Sequence, residues 1–476
     1  AGTSDAIVAT AGTSSDEIVI RAAQSGLREE FQVNTYTSSD QTNPSSTVLA
    51  DGSVVVTWQS YNYDQEQPQS NWDIGVFGKR YDTNGKALGE EFQINTHTTS
   101  NQTVPSVTAL DDGGFAVTWT SDGGHYGGSS SDIYAKTFTV TDASGNPVGT
   151  PQTQVDEFLV NGGADGSTTV GNQRDATIAS LKDGGFAITW EDQYNHDGSG
   201  EGIYGQRFHT DGSRDGGEFQ INTHTSSDQS NPAVATLEDG GFVVTWQSNN
   251  QEAGSNDLGI FAQRYDKDGT AVGSEFQVNS YTSNNQYEPS VAGLTGGGFV
   301  VTWQDSSGHD GGSGDDIRGQ IYTKDGTTVG TEFRVNSYTS NTQNEPDVTA
   351  LPDGGFVVTW QSDSQDGSYY GIYGQRYDKS GATFGDEFQV NTYTSSHQYD
   401  PSVTALADGG FMVTWESSGQ DGSNYGIYGQ RFAIDGSTEQ FFTSAAAANN
   451  AGGLADAKVD VVELHAASSS MHQIDK

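Results

Sequence analysis

The chain has 476 residues, too many for one ordinary compact core, so it is built either from several domains or from one repeat architecture. Lys and Arg total 20 against 63 Asp and Glu, a net charge of −43, which excludes nucleic-acid phosphates and anionic lipid headgroups as partners. Cysteine is absent, which removes disulfides, thiolate metal sites and cysteine nucleophiles, and no apolar run is long enough for membrane insertion.

Residues 1–29 are small and polar, with one strand-like patch at 17–22, and read as an N-terminal extension. From 30 onward one unit recurs. A Val/Ile-Thr-Trp triplet ends at Trp58, Trp119, Trp190, Trp246, Trp303, Trp360 and Trp415, at spacings of 61, 71, 56, 57, 57 and 55 residues. Each unit offers four strand signals, best seen at 387–435: EFQVN, VTAL, GGFMVTW and GIYGQRF. Apolar and polar residues alternate with period two in each, and Gly- and Asp-rich turns separate them. Seven such units predict an all-β fold, a seven-bladed β-propeller of four-stranded blades over 30–443 with short N- and C-terminal extensions.

Linker lengths predict the order within a blade. The connection from EFQVN to VTAL is long and polar, whereas those from VTAL to FVVTW and from RYD to EFQVN are short. VTAL is therefore expected innermost and EFQVN outermost, with both long loops on one face of the ring. The EFQVN at 30–34 precedes the first inner strand. It is expected to close the ring as outer strand of the last blade, because that blade's own candidate, Glu439–Ser444, is degenerate. Residues 444–476 open as a linker, and 454–467 has the pattern of a short amphipathic helix.

The pattern GGFVVTW, GIYGQRYD, EFQVN resembles repeats of large secreted and surface proteins of proteobacteria, associated with RTX-type calcium-binding segments and type I secretion. The resemblance covers about 30–435. It implies a secreted, extracellular or cell-surface setting and calcium as a cofactor. The chain departs from that pattern in having no array of RTX nonapeptides. Its nearest stretch, 311–319, puts Arg318 at the apolar position. The Asp-box of sialidase propellers and the calcium loop of integrin-type propellers are not matched.

Residues present in every unit are assigned to the scaffold. These are the seven Trp, the Gln of Gln-x-x-Pro (Gln41, Gln102, Gln173, Gln229, Gln286, Gln343 and Gln398) and a third-strand arginine (Arg80, Arg207, Arg264, Arg376 and Arg431) expected to bond blade to blade. Acids in the loop after each Trp suit a hard cation, and Asp197, Asp310, Asp315, Asp316, Asp366 and Asp421 are the candidate calcium ligands. His125, His196 and His309 occupy equivalent loops and are read as incidental. An insertion is placed in the third unit, around 139–175. Loop aromatics that differ between units, Tyr61, Tyr63, Trp72, Tyr369, Tyr370 and Tyr425, are the candidate ligand-binding residues, suited to stacking on sugar rings.

No nucleophile elbow, zinc-helix or P-loop motif is present. The expectation is a calcium-assisted binding or adhesion propeller rather than an enzyme, one that recognises a polysaccharide, cell-surface glycan or surface protein. The alternatives are a structural surface-layer or filament component, self-associating through the terminal segments, and a polysaccharide lyase or hydrolase using loop carboxylates.

Overall fold

The computed structural model describes residues 30–61, 73–123, 130–142, 144–162, 171–194, 196, 198–252, 257–309, 311–422 and 424–433. The 1–29 extension, the 444–476 tail with its expected helix, the Glu439–Ser444 segment and His125 lie outside them. The described residues form seven four-stranded antiparallel sheets arranged as a seven-bladed β-propeller. In the sixth blade the strands run Gln343–Ala350, Phe356–Asp363, Tyr370–Tyr377 and Phe388–Gln389, from the inside outward. The other six blades repeat this order.

The alternation in FVVTW decides how blades stack. Phe356, Val358 and Trp360 pack against the fifth blade, beside Ala292, Val300 and Ile317. Val357 points the opposite way, into the cluster shared with the seventh blade. Each strand therefore feeds two interblade cores, and seven such clusters circle the ring. Every repeat Trp is at most 1% exposed. Glycine in the third strand is needed for the outer strand to close down: a Cβ at Gly374 would lie 2.7 Å from the Phe388 ring.

The outer strand of the last blade comes from the other end of the chain. Phe31 and Gln32 pair with Gly429 and Tyr428, so the N-terminal segment closes the ring. One expectation needs correcting. The inner strand is longer than VTAL: it begins at the Gln of Gln-x-x-Pro and runs for eight residues in each blade. The third and fourth residues of that motif form a bulge opposite the Trp, where the ladder register shifts. A second correction concerns the extra length placed in the third unit. Part of it, Asp132–Thr141 and Pro147–Leu159, is a long hairpin of the second blade.

The repeated polar residues satisfy the scaffold. Six of the seven Gln amides donate to carbonyls of the long loop just before them; Gln173 donates to Asp192 instead. The Asn that ends each outer strand accepts a third-strand N–H at 2.7 to 2.8 Å. The Glu just before the Phe of each outer strand accepts an N–H from the preceding blade at 2.5 to 3.0 Å. The last of these joins Glu30 to Thr392 across the closure. Arginine ties blades together as well: Arg80, Arg207, Arg264 and Arg431 each reach a backbone carbonyl of the next blade.

Candidate functional site

The bulge is what builds the site. Its first residue is left-handed in every blade: Asn43, Val104, Asp175, Asn231, Glu288, Glu345 and Asp400 have φ between 49° and 53°. Non-glycine residues seldom adopt this conformation. In four blades a neighbouring blade secures it, since the side chain following that neighbour's Trp accepts from the bulge N–H. Gln59 accepts from Val104, Gln247 from Glu288, Gln361 from Asp400, and Glu416 from Asn43, at 2.7 to 3.1 Å. The inner strands begin at the long-loop face, so the seven bulges ring the mouth of the channel on that face.

Three consecutive bulges are acidic. Glu288 and Glu345, from blades five and six, hydrogen-bond to each other. Asp400, from blade seven, does the same with Glu416 of the adjoining strand. Burial lifts all four carboxyls above the ordinary range, and neighbouring carboxylates lift Glu345 and Glu416 further, well above it. These directions favour the protonated form at Glu345 and Glu416, the form that can donate to Glu288 and Asp400. The pairs are close enough to interact, because Asp400 acts on Glu345 and Glu345 on Glu416.

Aromatic rings border these acids. Tyr369 and Tyr370 lie 4.5 and 6.0 Å from His397, centroid to centroid, His397 lies 5.0 Å from Tyr399, and Tyr399 lies 6.2 Å from Tyr425. Tyr425 feels Glu416, Asp40 and Asp400, and Tyr61 of the first blade feels Asp40 and Glu416. Burial, with the phenols and acids around it, pushes the Tyr399 hydroxyl up to about 12. Four sequence candidates, Tyr61, Tyr369, Tyr370 and Tyr425, thus gather at one edge of the mouth. Tyr63 and Trp72 lie outside the described residues.

Across the mouth, blade three carries a different set. Arg174 donates to Glu191 at 2.7 Å and lies 3.4 Å from Asp175 and 3.7 Å from Glu201. Glu191 is fully buried. Burial first, then the charge of Glu201, push its carboxyl up to about 8, despite the Arg174 guanidinium.

The candidate calcium ligands are not drawn together. Asp315 accepts from Gln304 and the adjacent Asp316 from Asn336. Asp366 and Asp421, in different blades, each accept from an outer-strand Gln, Gln389 and Gln32. Asp197 and Asp310 lie outside the described residues, among which no group of three His, Asp or Glu is arranged to hold an ion. His196 and His309 sit beside their own blades' Asp192 and Asp305.

Sequence reasoning missed Glu288, Glu345, Asp400, His397 and Tyr399. The signal was present: Gln-x-x-Pro reads QTNP, QTVP and QSNP in three early units but QYEP, QNEP and QYDP in the last three. Treating the motif as uniform hid its variable third position.

No known protein-family model matches the chain, and no curated protein matches it. Solved structures do resemble it. A Dyadobacter fermentans protein of unknown function aligns at TM-score 0.50 and 12% identity, over 84% of this chain and 96% of that one. A Penicillium chrysogenum α-L-arabinanase complexed with arabinobiose aligns at 0.44 and 13%, over 85% and 98%. The Streptococcus pneumoniae NanB sialidase aligns at 0.43 and 11%, over 85% and 69%. At these identities the likeness is one of fold.

Proposed function

We propose that the chain acts on carbohydrate at the long-loop mouth of its channel, and that the chemistry is hydrolysis of a glycosidic bond. The observation that carries this reading is the adjacency of two proton-sharing carboxyl pairs, Glu288–Glu345 and Asp400–Glu416, to a row of aromatic rings. Glycoside hydrolysis needs one carboxyl that keeps its proton and one that does not. Burial and crowding supply both.

The division of labour follows from spacing. Acid and base must flank the bond about 5 to 9.5 Å apart. Members of one pair are hydrogen-bonded, hence too close, so donor and base come from different pairs. In the assignment we favour, Glu345 gives its proton to the glycosidic oxygen as the C–O bond breaks. A water attacks the anomeric carbon, and its proton passes to the Asp400 carboxylate. Tyr399, Tyr425 and Tyr370 supply apolar faces for the sugar rings.

The reading is tested by assaying new reducing ends on a panel of neutral, amino and acidic polysaccharides. Glu345→Gln and Asp400→Asn should each lower the rate about a hundredfold or more, as removal of a catalytic acid or base does, with the melting temperature retained. If the native protein binds glycan through Tyr399 yet releases no reducing ends, the site is a binding or adhesion site instead. The exposed Tyr369, at the end of the row, favours that second reading. An extracellular setting and calcium as a stabiliser of the acidic loops remain proposals, supported by the net charge and by the cysteine-free composition.

A further inference from the structure

The charges around the mouth are one-sided. Among the described residues, Glu288, Glu345, Asp400 and Glu416 form no ion pair with Lys, Arg or His, and the charges acting on them are other carboxylates. Asp315 acts on Glu288, Asp363 and Asp315 act on Tyr370, and Asp40 acts on Tyr61 and Tyr425. Arg174, on blade three, is already engaged by Glu191. At the aromatic edge His397 Nδ1 is buried and takes part in no hydrogen bond, and Glu345 is the one partner that bonds to the Glu288 carboxyl. A buried acceptor left unpaired is costly, so a bound donor would gain from meeting it.

From this we infer that the saccharide taken at this mouth bears protonated amines, as in a glycan of free-amine hexosamines, and that uronate and sialate polymers are rejected. The inference rests on the carbohydrate reading of the site and names its substrate class. Its physics is simple. An ammonium brought among these acids is attracted by all of them and competes with the Glu345 proton for the Glu288 carboxylate. A carboxylate-bearing sugar meets only like charge in a partly desolvated site, where repulsion is least screened. An ammonium would also favour the ionised form of the two pairs, so its binding would expel a proton that a neutral sugar would leave in place.

Three linear oligosaccharides of equal length and β-1,4 linkage discriminate: N-acetylglucosamine, glucosamine with free amines, and a uronate. Titration calorimetry at mildly acidic pH and low salt, in two buffers of different ionisation enthalpy, reads affinity and proton release together. The expected result is binding of the amine chain about tenfold tighter than the neutral chain, a gap of about 1.4 kcal/mol. The uronate should bind weakest, and only the amine chain should release protons. Added salt should narrow the gap. Uronate binding equal to or tighter than amine binding overturns the substrate class, and leaves the site standing if Tyr399→Ala abolishes that binding. Absence of binding by all three, or binding indifferent to Tyr399→Ala, overturns the carbohydrate reading itself.

Discussion

Two populations of carboxylates occupy this ring, and they differ in what they face. At the rim, the glutamates of the EFQVN segments, such as Glu91, Glu275 and Glu387, each accept a backbone N–H from the preceding blade. At the mouth, Glu345 and Glu416 face other carboxyls, which favour their protonated form. The rim acids are bonded seven times over in the same way, so their chemistry is spent on the scaffold. The mouth acids occur where three bulges happen to carry Glu or Asp, and no amide neutralises them fully. Charge in this molecule therefore has two meanings, and only the local partner tells which applies.

The largest expected effect comes from breaking the rim at its seam. Removing residues 1–35 deletes the Phe31–Gln32 strand, the Glu30–Thr392 bond and the Asn34 bond to Ile427. An unpaired edge on the last blade should then lower the melting temperature and produce aggregates on size-exclusion chromatography. A monodisperse truncated protein of native stability would show that another segment supplies the edge.

A smaller contrast sets one population against the other. Glu387→Ala leaves the Ser337 N–H and the Gln365 amide without their acceptor. Loss of these partly exposed hydrogen bonds costs about 1 kcal/mol, read in denaturant unfolding. Glu345→Gln, which keeps an amide where a protonated acid stood, should cost less than that while abolishing any catalysis. Equal costs at the two sites would erase the distinction between rim and mouth.

The smallest effect is a pH dependence on blade three. Folding raises the Glu191 carboxyl from its ordinary 4.5 to about 8. Its stabilising share is thus fully present below about pH 4.5 and is lost as pH rises through about 8, where a charge must be held in a buried site. Glu191→Gln should flatten this part of the stability curve, so that the variant gains on the native protein as pH rises from about 4.5, the gain being complete past about 8. Parallel curves would place the Glu191 charge in full compensation by Arg174.

The sequence by itself determined the ring. Period-two alternation, a Trp every 55 to 71 residues and unequal loop lengths dictate four strands per blade, seven blades and one face carrying the long loops. These are local properties, fixed by which residues can be buried on a pleated strand and which can turn. It also marked Tyr61, Tyr369, Tyr370 and Tyr425 as departures from the repeat, and they share one edge. What only the tertiary structure decided is which acids meet. Glu288 and Glu345 are 57 positions apart in the sequence, and circular closure turns them into hydrogen-bonded neighbours. The same closure separates Asp316, Asp366 and Asp421, each held by an amide of its own blade's outer strand. Equivalent positions in a ring converge only near its axis. The bulge puts Gln-x-x-Pro residues near that axis, and the turn acids stay farther out along the blades.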